Sequence, residues 1–189
     1  MTSADRASPG QEREWIVRAQ RGDAAAFRSL VDAYDRRLLY FVRRFLSDAD
    51  RALDVLQDVW LTLFRRLPGL KAPEAFRVWL YQIAHDRVVD VVRRDRREEK
   101  AHEALRATYL PVGNGEPGPE DHFDQAEFVH HALRSLSDDH REVLLLRFLE
   151  GLSIEEIAAA LRCSPGTVKS RLHYARQALR REVERLVHD

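Results

Sequence analysis

Apolar residues recur along this chain at intervals of three and four for nearly its whole length, the period of an amphipathic α-helix. Behind Asp23, a suitable N-cap, the residues Phe27, Leu30, Val31, Tyr34, Leu38, Phe41, Val42 and Phe45 trace one stripe. A shorter helix is predicted ahead of it, from Glu12 to Gln20, ending at Arg21-Gly22. A third runs from about Asp50 to Leu67, with Leu53, Leu56, Trp60, Leu63, Phe64 and Leu67 inward. Two prolines and a glycine between Pro68 and Pro73 force a loop. The fourth helix starts at Pro73 or Glu74 and carries Phe76, Trp79, Leu80, Ile83, Ala84, Val88 and Val91 on one side. It frays into the charged run Arg93–Lys100. There is no strand pattern and no internal repeat.

Residues 108–121, TYLPVGNGEPGPED, hold three prolines, three glycines and no period, which makes them a linker. Helices resume at about 122–136 and 138–150, the second capped by Ser137. The expected fold is therefore all-α: a polar tail over 1–10, then two small helical domains at 11–107 and 122–189 joined by a flexible acidic linker at 108–121.

The stretch 152–181, LSIEEIAAALRCSPGTVKSRLHYARQALRR, reads as two helices and a tight turn. Ser153 with Glu156 forms a capping box ahead of Ile157, Ala158 and Leu161. The first helix stops at Cys163. Ser164 caps a second helix whose first position, Pro165, needs no N–H partner. Val168, Leu172, Ala175 and Leu179 turn inward, leaving Lys169, Ser170, Arg171, His173, Tyr174 and Arg176 outward. Segment 162–181 has six Lys/Arg and no acid, whereas a merely solvated helix face mixes signs. A short helix, a sharp turn and a basic second helix make a helix-turn-helix, the unit that enters the DNA major groove.

Charge adds a second patch. The 189 residues balance 31 Lys/Arg against 31 Asp/Glu, so only local clustering can attract nucleic acid. Residues 87–97 hold five Arg against two Asp, and residues 116–127 hold five acids and no Lys or Arg. The single cysteine, Cys163, allows no internal disulfide and fits a reducing compartment. The N-terminus lacks the apolar core of a signal peptide, and no apolar run spans a bilayer, so a cytoplasmic protein without membrane insertion is expected. No appended domain is expected after Asp189.

Enzyme chemistry finds no foothold. Glu127, His130 and His131, with His122 and Asp124 nearby, do not make a metal site, because adjacent histidines point about 100° apart on a helix. No phosphate-binding Gly loop or nucleophile elbow is present, and neither cofactor nor catalytic residue is expected. Two other classes stay open on these residues alone: an operator-binding regulator with a helical sensor domain, and a protein-interaction module.

The run LRSLSDDHREVLLLRFLEGLSIEEIAAALRCSPGTVKSRLHYARQALRRE resembles region four of bacterial extracytoplasmic-function (ECF) sigma factors. DRALDVLQDVWLTLFRRL and EAFRVWLYQIAHDRVVDVVRRDRR resemble their region two. Order and linker position match as well. The resemblance implies a sigma subunit that binds core RNA polymerase through its clamp helices and flap, recognises −35 and −10 promoter elements, and aids promoter opening. A controlling anti-sigma factor is also implied.

For the −35 element it points to Arg162, Thr167, Lys169, Ser170, Arg171, His173, Tyr174 and Arg176. There Arg171 suits a guanine edge, and Lys169 and Arg176 suit phosphates. For the −10 element it points to Lys71, Arg77, Tyr81, Gln82, His85, Asp86 and Arg87, with Arg93, Arg94, Arg96 and Arg97 on the backbone. Tyr81, off the apolar stripe, is a stacking candidate, while Phe76 and Trp79 lie on it and read as core. Core polymerase docking falls to Asp54, Gln57, Asp58 and Arg65. Tyr174 and Asp86 depart from the Arg and Asn common in the family.

Overall fold

A computed structural model describes residues 8–46, 48–106, 132–133 and 135–188. Among these residues there are seven α-helices and no strand. Helix α1 (Pro9–Gln20) starts on Ser8, whose hydroxyl accepts from the Gln11 amide. Gly22, at a φ of 90°, turns the chain into α2 (Ala24–Val42), and the Asp23 carboxylate accepts from the Ala25 and Ala26 amides. Asp48 caps α3 (Ala49–Arg66) in the same way. Two single-turn 3-10 segments, Leu67–Gly69 and Pro73–Ala75, make the proline-rich corner before α4 (Phe76–Arg106).

The second half holds α5 (Asp138–Leu144), continued by a π-helical turn at Leu145–Leu149, then α6 (Ile154–Ala160) and α7 (Pro165–His188). The expected Ser153–Glu156 capping box is present, and the Ser164 hydroxyl accepts from the Thr167 amide at 3.0 Å.

The core begins where α2, α3 and α4 face one another. Phe41 meets Tyr81 edge-on at 5.6 Å and Tyr34 meets Phe76 at 5.7 Å, with Leu30, Leu38, Leu63 and Leu80 fully enclosed. Leu146, Leu152, Ile157, Val168 and Leu172 form the interior of the second half. The two interiors belong to one continuous cluster, because α6 lies across α4.

Four expectations change. Helix α4 does not fray at Arg93 but runs on to Arg106. Its charged tail is built of strong helix formers, and Asp95 is held by Arg51 of α3. The helix after Ser137 becomes a π turn from Leu145, and Ser137 occupies the N-cap position without a side-chain cap bond. Leu53 and Phe64 point outward, 50% and 60% exposed, because the buried line of α3 is Ala52, Val55, Leu56, Val59 and Leu63. At 100° per residue, Leu53 and Phe64 stand roughly 100° and 120° from the middle of that line.

Tyr81 is the fourth correction. It lies completely buried, enclosed by Phe41 and by the second half of the chain. Burial, and then the Glu150 carboxylate, pushes its hydroxyl well above its ordinary pKa. A reading from α4 alone misses this, because the covering residues lie some seventy positions away. The expected helix at 122–136 falls mostly outside the described residues, as do His122, Asp124, Glu127, His130 and His131.

As a core aromatic, Tyr81→Ala is expected to cost about 3–5 kcal/mol, measured by thermal or denaturant unfolding. A surface stacking residue would stay within about 0.5 kcal/mol.

Candidate nucleic-acid interface and docking surfaces

Helices α6 and α7 form the helix-turn-helix. The turn between them places Arg162 at a φ of 52°, a left-handed conformation that costs a non-glycine residue roughly 1–2 kcal/mol. The Cys163 amide donates back to the Ala158 carbonyl at 3.0 Å and closes the turn. Val168, Leu172 and Ala175 anchor α7 inward, so Lys169, Ser170, His173, Tyr174 and Arg176 are exposed together. Thr167 is half-buried, its hydroxyl 2.8 Å from that of Ser164. The Ser170 hydroxyl donates to the Thr167 carbonyl at 2.9 Å, and His173 sits edge-on to Tyr174. At the start of α7 Pro165 has no N–H, and the Thr167 and Val168 amides donate to the Ser164 hydroxyl and carbonyl at 3.0 and 3.1 Å.

Two of the candidate cations on this unit already hold carboxylates. Arg171 donates to Asp139 of α5 at 2.7 Å, and Arg162 donates to Asp86 of α4 at 2.8 Å. Arg176 lies 5.3 Å from the Phe148 ring centroid, a cation–π distance.

The polar face of α4 meets the second half directly. Arg77 faces Glu156 at 3.7 Å, the His85 ring nitrogen Nδ1 lies 2.7 Å from Glu142, and Arg96 donates to Asp138 at 2.8 Å. Arg87 turns back to the Thr62 hydroxyl at 3.1 Å, and Gln82 is half-buried. Lys71, Arg93, Arg94 and Arg97 are exposed. Sequence reasoning missed the acids of 138–156 that make these pairs. The signal was available: that stretch carries six carboxylates against two arginines, and it follows a basic helix.

Beneath these contacts run the buried charges. Arg37 of α2 pairs through both Nε and Nη2 with Glu150, whose side chain is fully buried. Arg141 donates to the carbonyls of Leu133 at 2.8 Å, Leu136 at 2.7 Å and Arg44 at 2.6 Å, and so ties α5 to the end of α2.

His85 is the titratable member of the seam, with Glu142 facing it from α5, Asp86 from its own helix and Arg162 from the α6–α7 turn. Burial disfavours its charged form, but the hydrogen bond and charge of Glu142, with Asp86, outweigh both that and the repulsion of Arg162. Its pKa is raised. Burial likewise pushes the Cys163 thiol up, which keeps it protonated and unreactive.

On the opposite side of the first half, Asp54, Gln57, Asp58 and Arg65 are exposed along α3. They share that face with Leu53, Phe64 and Leu61, the last 44% exposed. Phe27 packs edge-on against Phe64 at 5.1 Å and against Trp60 at 6.2 Å, which fixes the ring positions. Exposed aromatic and aliphatic groups beside charges mark a docking surface. Between α2 and the second half, an apolar groove of about 650 Å3 is lined by Tyr40, Leu145, Phe148, Leu179 and Val183. Among the described residues no cluster of His, Cys, Asp or Glu could hold a metal ion, and no helix is long and apolar enough to cross a membrane.

Residues 30–98 match Sigma-70 region 2, and residues 129–179 match Sigma-70, region 4. Over 187 residues the chain is 33% identical to the RNA polymerase sigma-H factor of Pseudomonas aeruginosa, covering 95% of this chain and 97% of that one. Over 180 residues it is 33% identical to the ECF RNA polymerase sigma-E factor of Escherichia coli, covering 91% and 94%. Among solved structures it is similar to the sigma factor RpoE of Bartonella quintana in complex with the anti-sigma factor NepR. There the TM-score is 0.68 at 25% identity, over 84% of this chain and 96% of that one. It is also similar to CnrH in complex with the cytosolic domain of CnrY, with a TM-score of 0.64 at 27% identity over 92% and 97%.

A raised histidine pKa means that the protonated ring stabilises the fold. The contribution is complete below the ordinary imidazole value of about 6.5 and is lost as pH rises through the higher folded-state value. His85→Gln is therefore expected to lower Tm in mildly acidic buffer by roughly 2–4 °C, for a contact worth about 1 kcal/mol. Well above the raised pKa the two proteins should unfold together. Parallel Tm curves across the whole pH range would show that His85 carries no such role.

Proposed function

The chain belongs to the ECF RNA polymerase sigma factors, and we propose on that premise how its surfaces divide the work of starting a transcript. Like its relatives it is no enzyme: it directs core polymerase to particular promoters. The observation that carries the finer reading is the pairing of an exposed, acid-free recognition helix in region four with a polar, arginine-rich helix in region two.

Region two spans 11–107, the linker 108–121 and region four 122–189 in this reading. Helix α7 enters the major groove of the −35 element. Arg171 there leaves Asp139 for a guanine edge, Lys169 and Arg176 take phosphates, and Ser170, His173 and Tyr174 line the same exposed face. Arg162 and Thr167 hold the backbone beside the helix start. At the −10 element the corner around Lys71 and the face bearing Arg77, Gln82, His85, Asp86 and Arg87 receive the separating strand. Arg93, Arg94, Arg96 and Arg97 then follow its phosphates. Tyr81 is covered by the second half of the chain and is not assigned to this face.

Core polymerase takes α3. Asp54, Gln57, Asp58 and Arg65 supply charge complementarity to the clamp helices, and Leu53, Leu61 and Phe64 supply the apolar area that such contacts need. The groove beside Phe148 receives the flap. The neighbour captured with the anti-sigma factor NepR supports an anti-sigma factor as a further partner.

In vitro transcription with core polymerase tests the whole reading, because an operator-binding regulator would not confer promoter-specific initiation. Arg171→Ala is expected to lower −35-dependent initiation about tenfold, the scale of one bidentate base contact, with core binding retained. Asp54→Arg combined with Phe64→Asp is expected to weaken co-purification with core polymerase tenfold or more. The −35 affinity of the chain should stay unchanged in that variant.

A further inference from the structure

The corner between α3 and α4 is built of two separate turns. The Leu70 amide returns to the Leu67 carbonyl at 3.0 Å, and the Ala75 amide returns to the Ala72 carbonyl at 3.0 Å. Lys71 sits between those two bonds, with Pro68 and Pro73 on either side lacking an N–H to add another. The shape of the corner therefore depends on what holds each turn from outside.

That support comes from α1. The side-chain nitrogen of Gln20 donates to the Leu67 carbonyl at 3.1 Å and to the Leu70 carbonyl at 2.6 Å. Arg13 donates to the Glu74 carboxylate at 3.2 Å. Positions 13, 16 and 20 share one face of a helix, since seven residues make nearly two full turns. Ile16, only 1% exposed, fixes the middle of that stripe in the core. One helix face thus braces both turns. The Arg13–Glu74 pair is open to water and holds weakly. Gln20 is half-buried, and it is the firmer brace.

A carboxamide suits this place. Both partners of Gln20 are carbonyl oxygens, which only accept, so two N–H groups on one nitrogen serve them together. A glutamate of the same shape would set acceptor against acceptor. A leucine would fill the space and make neither bond.

We propose that Gln20 is a positioning residue for promoter opening, given the −10 role assigned to this corner, on which the inference rests. It acts through 67–71 rather than by touching DNA. By clamping both ends of the first turn it presents Lys71, and the exposed edge at Pro68 and Gly69, to the separating strand in a fixed place. A corner without the clamp has to be ordered when the strand arrives, and that ordering is subtracted from binding.

The test uses the full chain assembled with core polymerase. Its probe is a fluorescent non-template-strand oligonucleotide spanning the −10 element of a promoter that the parent transcribes, read by anisotropy. Gln20→Leu is expected to weaken binding roughly five- to tenfold, the scale of two neutral hydrogen bonds. Gln20→Glu should lose at least as much. Gln11→Leu, which removes an exposed amide from the opposite face of α1, should match the parent. Affinity for a duplex carrying the −35 element alone, and co-purification with core polymerase, should stay at parental values in every variant.

A double-mutant cycle with Lys71→Ala separates positioning from a merely structural role. In the parent that change should cost about two- to fivefold, the range of one exposed ionic contact. In the Gln20→Leu background it should cost almost nothing, because Lys71 is no longer held where the strand passes. If Gln20→Leu does not fold, Gln20→Asn takes its place, keeping the amide but falling one methylene short of the carbonyls. Parental strand binding by Gln20→Leu or Gln20→Glu, an equal Lys71→Ala loss in both backgrounds, or a matching loss of −35 or core binding overturns the proposal. If Lys71→Ala costs the parent nothing, or the parent supports no promoter-specific initiation, the functional reading beneath it falls instead.

Discussion

The structure turns on the buried pair between Arg37 and Glu150. Neither charge would be tolerated alone at that depth, since an uncompensated ion in a protein interior costs several kcal/mol. Each is therefore evidence of the other's position. Glu150 follows the π turn, so the pair sets where that turn lies against α2. From there follow the placement of α6 across α4, the enclosure of Tyr81, and the alignment of three further carboxylates with the α4 face. Arg141 supports the same register from the other end, with three main-chain carbonyls around one guanidinium.

Much of this was legible in the residues. Period and caps located α1, α2, α6 and α7 closely, because those helices end at Gly22, at Asp23, or at the Ser153 and Ser164 caps, and such signals act within a few positions. The inward face of α3 was misread because a stripe that includes Trp60 spreads wide enough to admit Leu53 and Phe64. Those two are apolar and exposed, and no local rule separates that from burial. Tyr81 was misread for the opposite reason: its cover comes from residues distant in the chain. The seam was illegible because ion pairs leave no periodic trace, although the acid-rich 138–156 and basic 87–97 hinted at mutual attraction.

The surfaces divide cleanly by chemistry. The faces proposed for promoter DNA are polar, and several of their charges pair across the two halves. The faces proposed for polymerase, on α3 and in the groove beside Phe148, expose apolar groups, and the groove borders the first half through Tyr40.

The π turn at Leu145–Leu149 carries a consequence for how such chains vary in length. A π turn contains one residue more than the α-helical path between the same points, so this segment stores a spare amino acid. Losing one codon there would let the helix close in regular form without tearing the backbone. Because the two paths join the same points, the carboxylate at 150 would keep its place beside its guanidinium. Loss of one residue here is therefore tolerated by the registration of the halves, whereas the same loss in a regular helix would rotate everything after it by about 100°.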